Sequence, residues 1–179
     1  TVFRHIEESA QGSESEGDFA GLFDDFDVNS NKLGATVAKR NEKLVKLLNG
    51  VAAMDLGDVK GHDIDAFGDA YEYLIGQFAS ETGKKAGEFY TPQAVSKILT
   101  KIAIAGQENK KGLSVYDPCM GSGSLLLNAK KYATEPGYIK YYGQELNTST
   151  YNLARMNMFL HGITPENQVL RNGDTLDGD

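Results

Sequence analysis

A single cysteine, no tryptophan and only four prolines occur in 179 residues, and each scarcity closes off a class of protein. One thiol, Cys119, cannot form an internal disulfide, so a small cystine-stapled scaffold is excluded. His5, His62 and His161 are too few and too scattered to give Cys119 the ligand spacing of structural zinc, and no metal ligand is assigned. No run approaches the roughly eighteen consecutive apolar residues that cross a bilayer, and the N-terminus lacks a basic-then-apolar targeting pattern. The expectation is a soluble, cytoplasmic protein with no membrane contact. Positive charge is also in deficit. A formal net charge of −7 leaves no clustered Lys and Arg surplus to grip a phosphate backbone, so any DNA contact needs more protein.

What is present suffices for a folded α/β domain, since 40% of the residues are hydrophobic. The first thirty residues mix Ser, Gly, Glu and Asp with isolated anchors at Phe19, Leu22, Phe23 and Phe26, and read as loop with a short docking turn. From Asn41, the residues Leu44, Leu47, Leu48 and Val51 recur at helical spacing, and Asn49-Gly50 marks where that helix weakens. Between about Asp63 and Ser80, Ile64, Phe67, Tyr71, Leu74, Ile75 and Phe78 fall on one helical face, which places Tyr71 and Phe78 in the core. Gly83 to Gly87 form a connection, and Thr91 then Pro92 supply an N-cap and first residue for a third helix carrying Val95, Ile98, Leu99 and Ile102.

After a polar turn at 106–112 the pattern changes. Short β-prone runs alternate with helical ones at 113–117, 123–132, 139–145 and 148–161, and 168–171 offers a further short strand. The order β-α-β-α predicts a parallel sheet. The fold expected is α/β, with a mainly helical N-terminal domain and linker over residues 1–86. The start of a Rossmann-like sheet follows over 87–179.

The chemistry concentrates in Asp117-Pro118-Cys119-Met120-Gly121-Ser122-Gly123-Ser124-Leu125, where a strand ends and a helix begins. Ligands of open parallel sheets bind at that edge. Gly121 and Gly123 let the backbone turn tightly beside a ligand, and the helix behind them offers unpaired N–H groups. Asp117 redirects the reading: a carboxylate there repels a pyrophosphate but attracts an ammonium, which favours a nucleotide bearing an amino acid. A dinucleotide fingerprint would also want Gly or Ala where Leu126 stands. Glu145 ends the next strand 28 residues after Asp117, where an acid can hydrogen-bond both ribose hydroxyls. Cys119 has no partner base in the sequence and is expected to be a buried packing residue rather than a nucleophile. The histidines are expected at the surface or at helix caps.

These residues resemble the modification (methyltransferase) subunits of type I restriction-modification systems, and the resemblance covers nearly the whole chain. Phe26 to Gly34, Arg40-Asn41 and Gly68 to Ile75 are similar to that family's helical N-terminal region. Gly87-Glu88-Phe89-Tyr90-Thr91-Pro92 is similar to its cofactor-flanking motif, which implies that Glu88, Phe89, Tyr90, Thr91 and Pro92 help to enclose the methionine end of S-adenosylmethionine. The match over 117–125 implies that Asp117 meets the ammonium of that cofactor, that Pro118 belongs to the motif, and that Gly121, Ser122, Gly123 and Ser124 line the methionine part. It further implies that Glu145 holds the ribose. Asn172-Gly173-Asp174-Thr175-Leu176 resembles the next motif, which implies that Asp174 approaches the cofactor's adenine amine.

The resemblance implies methylation of adenine at N6 after base flipping, by direct attack of the amine on the sulfonium methyl. The partners implied are DNA, reached through the assembled complex, a specificity subunit, a second modification subunit and a restriction subunit. The family's Asn-Pro-Pro-aromatic motif is absent, because Pro92, Pro118, Pro136 and Pro165 are never adjacent. No catalytic residue is therefore assigned, and these 179 residues alone are expected to be inactive. Two other readings stay open at this point: a methyltransferase for RNA, protein or a small molecule, and a non-catalytic interaction module on a degenerate scaffold.

Overall fold

The computed structural model describes residues 2–53, 64–82 and 90–177. By contacts the chain divides into two compact units, Thr1–Ala20 with Asp63–Asp179, and Gly21–His62. The larger unit contains helices α1 (Val2–Glu8), α2 (Glu16–Phe19), α4 (Ile64–Thr82), α5 (Gln93–Ile104), α6 (Ser124–Tyr132) and α7 (Thr148–Leu160). Its strands are β1 (Ser114–Asp117), β2 (Lys140–Glu145) and β3 (Gln168–Asn172). The smaller unit holds α3 (Val37–Ala52).

The strands form a parallel sheet in the order β1-β2-β3, with Val115 opposite Tyr141 and Tyr142 opposite Val169. Stepping in one direction through right-handed crossovers puts both connecting helices on the same face. Accordingly α6 packs on β1, and α7 on β2 and β3. Leu113, Met120, Leu126, Leu127, Ala129, Ile139, Tyr141, Ala154, Met158 and Ile163 make the core between sheet and helices. Strand alternation sends Tyr116, Tyr142 and Val169 to the other face, where all three are exposed.

Several local expectations are corrected. The N-terminal stretch is loop and turn as expected, but it also carries two short helices, α1 and α2. Helices this short are marginal alone, and α2 is held from outside: Arg155 on α7 donates to the carbonyls of Gly17 and Ala20, and Phe19 stands edge-on to Phe159 at 5.0 Å. Helix α3 begins at Val37, ahead of Asn41, because Thr36 accepts a hydrogen bond from the Lys39 amide. It also runs through Asn49-Gly50 to Ala52. Helix α5 starts one residue later than expected: Pro92, with φ −51° and ψ 135°, is itself the N-cap, and Thr91 lies outside.

The buried face of α5 is also not its apolar one. Ser96, Thr100 and Ile104 are buried, whereas Val95, Ile98, Leu99 and Ile102 are 47–69% exposed. The reason is a polar seam with α6, in which Asn128 donates to the Ser96 hydroxyl at 2.6 Å and to Gln93 at 3.4 Å. On α4, Tyr71 is half-buried and Phe78 is 60% exposed, so the core face is carried by Ile75 and Ala79 instead. Cys119 is exposed at the tip of the loop after β1 and has no packing role. His161 is the C-cap residue of α7 as a capping histidine should be, yet it is buried.

Candidate functional site

The loop between β1 and α6 is a glycine turn built against the end of β2. Gly121 at φ 56° and Gly123 at φ 81° occupy the left-handed region, which a side chain disfavours. Gly123 is the N-cap of α6 and donates its own amide to the Met120 carbonyl at 2.8 Å. The Met120 amide donates to the Gln144 carbonyl at 2.9 Å, which ties the loop to β2. Residues 121–124 are buried, and the Ser122 and Ser124 hydroxyls lie 3.2 Å apart.

The two acids expected in the site stand at the ends of adjacent strands. In register Asp117 lies opposite Gly143, two residues before Glu145. One oxygen of Glu145 accepts the Gly121 amide at 3.1 Å, and the other accepts the Asn147 amide at 2.8 Å. A carboxylate has about four lone-pair sites, so two remain for a pair of hydroxyls. Asp117 accepts the Cys119 amide at 3.0 Å. Burial pushes its pKa up, the Cys119 amide opposes that, and the negative charge of Glu145 raises it further. Asp117 is half-buried, and a carboxylate placed so beside a second one favours a cationic group such as an ammonium.

The turn after β3 closes in from the third side. Thr175 donates its hydroxyl to the Pro118 carbonyl, and Gly173 donates its amide to the Glu145 carbonyl at 3.0 Å. The Asn172 amide group donates to the carbonyls of Glu145 and Leu146. Asp174 is exposed beside these contacts and accepts the Leu176 amide at 2.9 Å. The structure thus gathers Asp117, Pro118, Gly121, Ser122, Gly123, Ser124 and Glu145 around one turn, with Asp174 one residue from the contact to Pro118.

Tyr90 and Pro92 are elsewhere. They line a cavity of about 530 Å³ with Asp69, Glu72, Gly76, Gln93 and Lys131, none of which belongs to the glycine turn. Thr91 between them is exposed, and Glu88 and Phe89 lie outside the described residues. The supporting residues Asn157, Asn172 and Thr175 carried no assigned role in the sequence. Asn157, fully buried on α7, donates to the Ser122 carbonyl at 2.9 Å and fixes the middle of the glycine turn. A buried-face asparagine at helical spacing was the available signal, but its partner is 35 residues away.

Residues 62–179 match the model of the "N-6 DNA Methylase" family. A methylase subunit of the type I restriction enzyme MpnII from Mycoplasma pneumoniae is 46% identical over 98% of this chain and 33% of its own length. That of MjaVII from Methanocaldococcus jannaschii is 35% identical over 75% of the chain and 22% of its own. The chain therefore spans about a third or less of the curated relatives it matches. The crystal structure of a type I restriction-modification methyltransferase subunit from Streptococcus thermophilus superposes with a TM-score of 0.80. It is 55% identical and covers 99% of this chain and 35% of that one. The helical N-terminal part and the parallel sheet with its helices are the architecture of that subunit. With its acids, glycine turn and strand order in place, the chain belongs to the N-6 DNA methylase family, and its likeness there is to the methylase subunits of type I restriction enzymes.

Proposed function

We propose that these residues form the S-adenosylmethionine site of a DNA adenine-N6 methyltransferase that works as the modification subunit of a type I restriction-modification complex. The observation that carries this reading is the pairing of Asp117 and Glu145 at neighbouring strand ends around a glycine turn. The donor set fits the cofactor. Asp117 offers a half-buried carboxylate to the ammonium, Gly121 to Ser124 offer close backbone approach to the methionine part, and Glu145 keeps two lone-pair sites for the ribose hydroxyls. Asp174 is proposed to accept from the adenine amine. Glu88, Phe89, Tyr90, Thr91 and Pro92 are proposed as the flanking wall by their likeness to the family motif. When bound, the cofactor supplies an electrophilic methyl group. The chain's own residues bind it, orient it and exclude water from its methionine end.

The acceptor is proposed to be an adenine of DNA, rather than RNA or protein, because the matching family is one of DNA methylases. DNA, a specificity subunit, a second modification subunit and a restriction subunit are proposed partners of the whole protein, in keeping with relatives that are subunits of type I restriction enzymes. The 179 residues contain no Asn-Pro-Pro-aromatic run. By themselves they are proposed to bind cofactor without transferring methyl groups.

Calorimetric titration tests the cofactor assignment. S-adenosylmethionine should bind saturably while NADH does not, and Asp117→Ala, checked for folding by circular dichroism, should weaken binding at least about tenfold. Binding of NADH instead, or indifference to Asp117→Ala, would overturn the assignment.

A further inference from the structure

We propose that Asp69, Glu72 and His161 form a binding site for one divalent transition-metal ion of the zinc class, pinning α4 to the end of α7. Asp69 and Glu72 are three residues apart on α4 and so share a helical face. One oxygen of each carboxylate and a ring nitrogen of His161 lie within 4.8 Å of one another. None of the three enters the cofactor reading.

The independent sign of a missing cation is the state of His161, which is 1% exposed. Its Nδ1 lies 2.9 Å from the Asn157 carbonyl, an oxygen that can only accept, so Nδ1 carries the hydrogen. That leaves Nε2 with a lone pair, and Nε2 is buried without a hydrogen-bond partner among the described residues. A carbonyl on one ring nitrogen and a free lone pair on the other is the arrangement of a metal-ligating histidine. The ring cannot back away from the acids: a Cβ at Gly68 would lie 2.6 Å from its atoms, so the α4 backbone rests on it.

Glu72, 7% exposed, repeats the pattern. Its Oε2 accepts from Gln93 at 3.1 Å while its buried Oε1 has no hydrogen-bond partner among the described residues. Two buried lone-pair atoms beside a second carboxylate, that of Asp69, repel one another unless a cation lies between them. A hydrogen on Nε2 does not answer this, because Asp69 Oδ1 is 3.9 Å away and beyond hydrogen-bond reach. An ion bonded at about 2.1 Å to each ligand spans such a gap, with tetrahedral ligands about 3.4 Å apart. The Asp69 side chain, 62% exposed, is free to make the closing movement. Imidazole with two carboxylates favours zinc-class ions over magnesium. Lys131 donates to Asp69 at 2.9 Å and is a competing cation that the ion would displace outward.

The test titrates Zn²⁺ calorimetrically into the purified full-length protein after chelator dialysis, with Co²⁺ absorption as a second readout. One ion per chain is expected, weakened about tenfold or more in Asp69→Asn and in Glu72→Gln. Asp69→Asn changes an exposed carboxylate and should leave the far-ultraviolet circular dichroism unchanged. Lys131→Ala should tighten Zn²⁺ binding about three- to tenfold by removing the competing charge. No Zn²⁺ uptake at high micromolar concentration, or uptake indifferent to both carboxylate variants, would overturn the site. Weaker Zn²⁺ binding in Lys131→Ala would overturn it too.

Discussion

Gly143 has no room for even a methyl group. A Cβ there would overlap Met120 Sδ and sit 3.1 Å from Leu126 and 3.2 Å from Leu170, so β2 can pass beneath the glycine turn only as bare backbone. Gly143→Ala should therefore cost about 1–3 kcal/mol, read from urea denaturation; a cost below about 0.5 kcal/mol would mean that Met120 moves aside freely. Asp117 makes a prediction of the opposite sign. Its folded pKa lies above the ordinary value of 3.8, so the native state keeps a proton over a window in which the unfolded chain has lost it. Stability falls as pH rises through that window, and the penalty is fully present at neutral pH. Asp117→Asn should raise the Tm at pH 7 while weakening S-adenosylmethionine binding, and the gain should vanish below pH 3.8, where both side chains are neutral. A lower Tm at pH 7 would refute the account. At this scale the site was largely legible, because Asp117, the two glycines and Glu145 announce themselves by type and spacing. Asn157 and Thr175 did not, since each acts on a backbone carbonyl far away in sequence.

At the scale of elements, alternation of β-prone and helical runs was enough to order the sheet, since period and length together separate strand from helix. Which face of a helix is buried was less legible. Helix α5 turns Ser96 and Thr100 inward and leaves its apolar residues exposed, because hydrogen bonds with α6 decide the contact. For α2 the docking anchor Phe19 was legible but the helix was not, because what holds it is Arg155. Arg155 is 8% exposed, and its guanidinium donates to Asn152 as well as to the Gly17 and Ala20 carbonyls. Burial pushes the pKa of nearby Asp18 up, and Arg155 pulls it back. Arg155→Met keeps most of the volume but strands both carbonyls and removes that compensating charge. It should cost about 2–4 kcal/mol in chemical denaturation. A loss under about 0.5 kcal/mol would show the contact to be peripheral.

At the scale of the whole chain, charge bears on contact with DNA. A net charge of −7 with no basic cluster gives nothing to drive counterion release. The 179 residues alone should not retard duplex DNA in a gel at roughly 10 μM protein and 150 mM salt, where non-specific binders with Kd of about 10⁻⁴–10⁻⁶ M begin to do so. Clear retardation would overturn the view that DNA contact depends on other protein. The described residues contain no helix long and apolar enough to cross a membrane. What they do contain is an exposed sheet face carrying Tyr116, Tyr142 and Val169 opposite a well-filled core.

The clamp of Arg155 on Gly17 and Ala20 joins residues 138 and 135 positions apart. On a ribosome adding about 5–20 residues per second, the α2 segment emerges roughly 7–27 s before its anchor exists. Through that interval Phe19 has no Phe159 to meet, and the intervening Gly21–His62 unit can form first. The N-terminal segment of the larger unit therefore waits through most of its synthesis for the helix that holds it, and cannot dock before α7 is made.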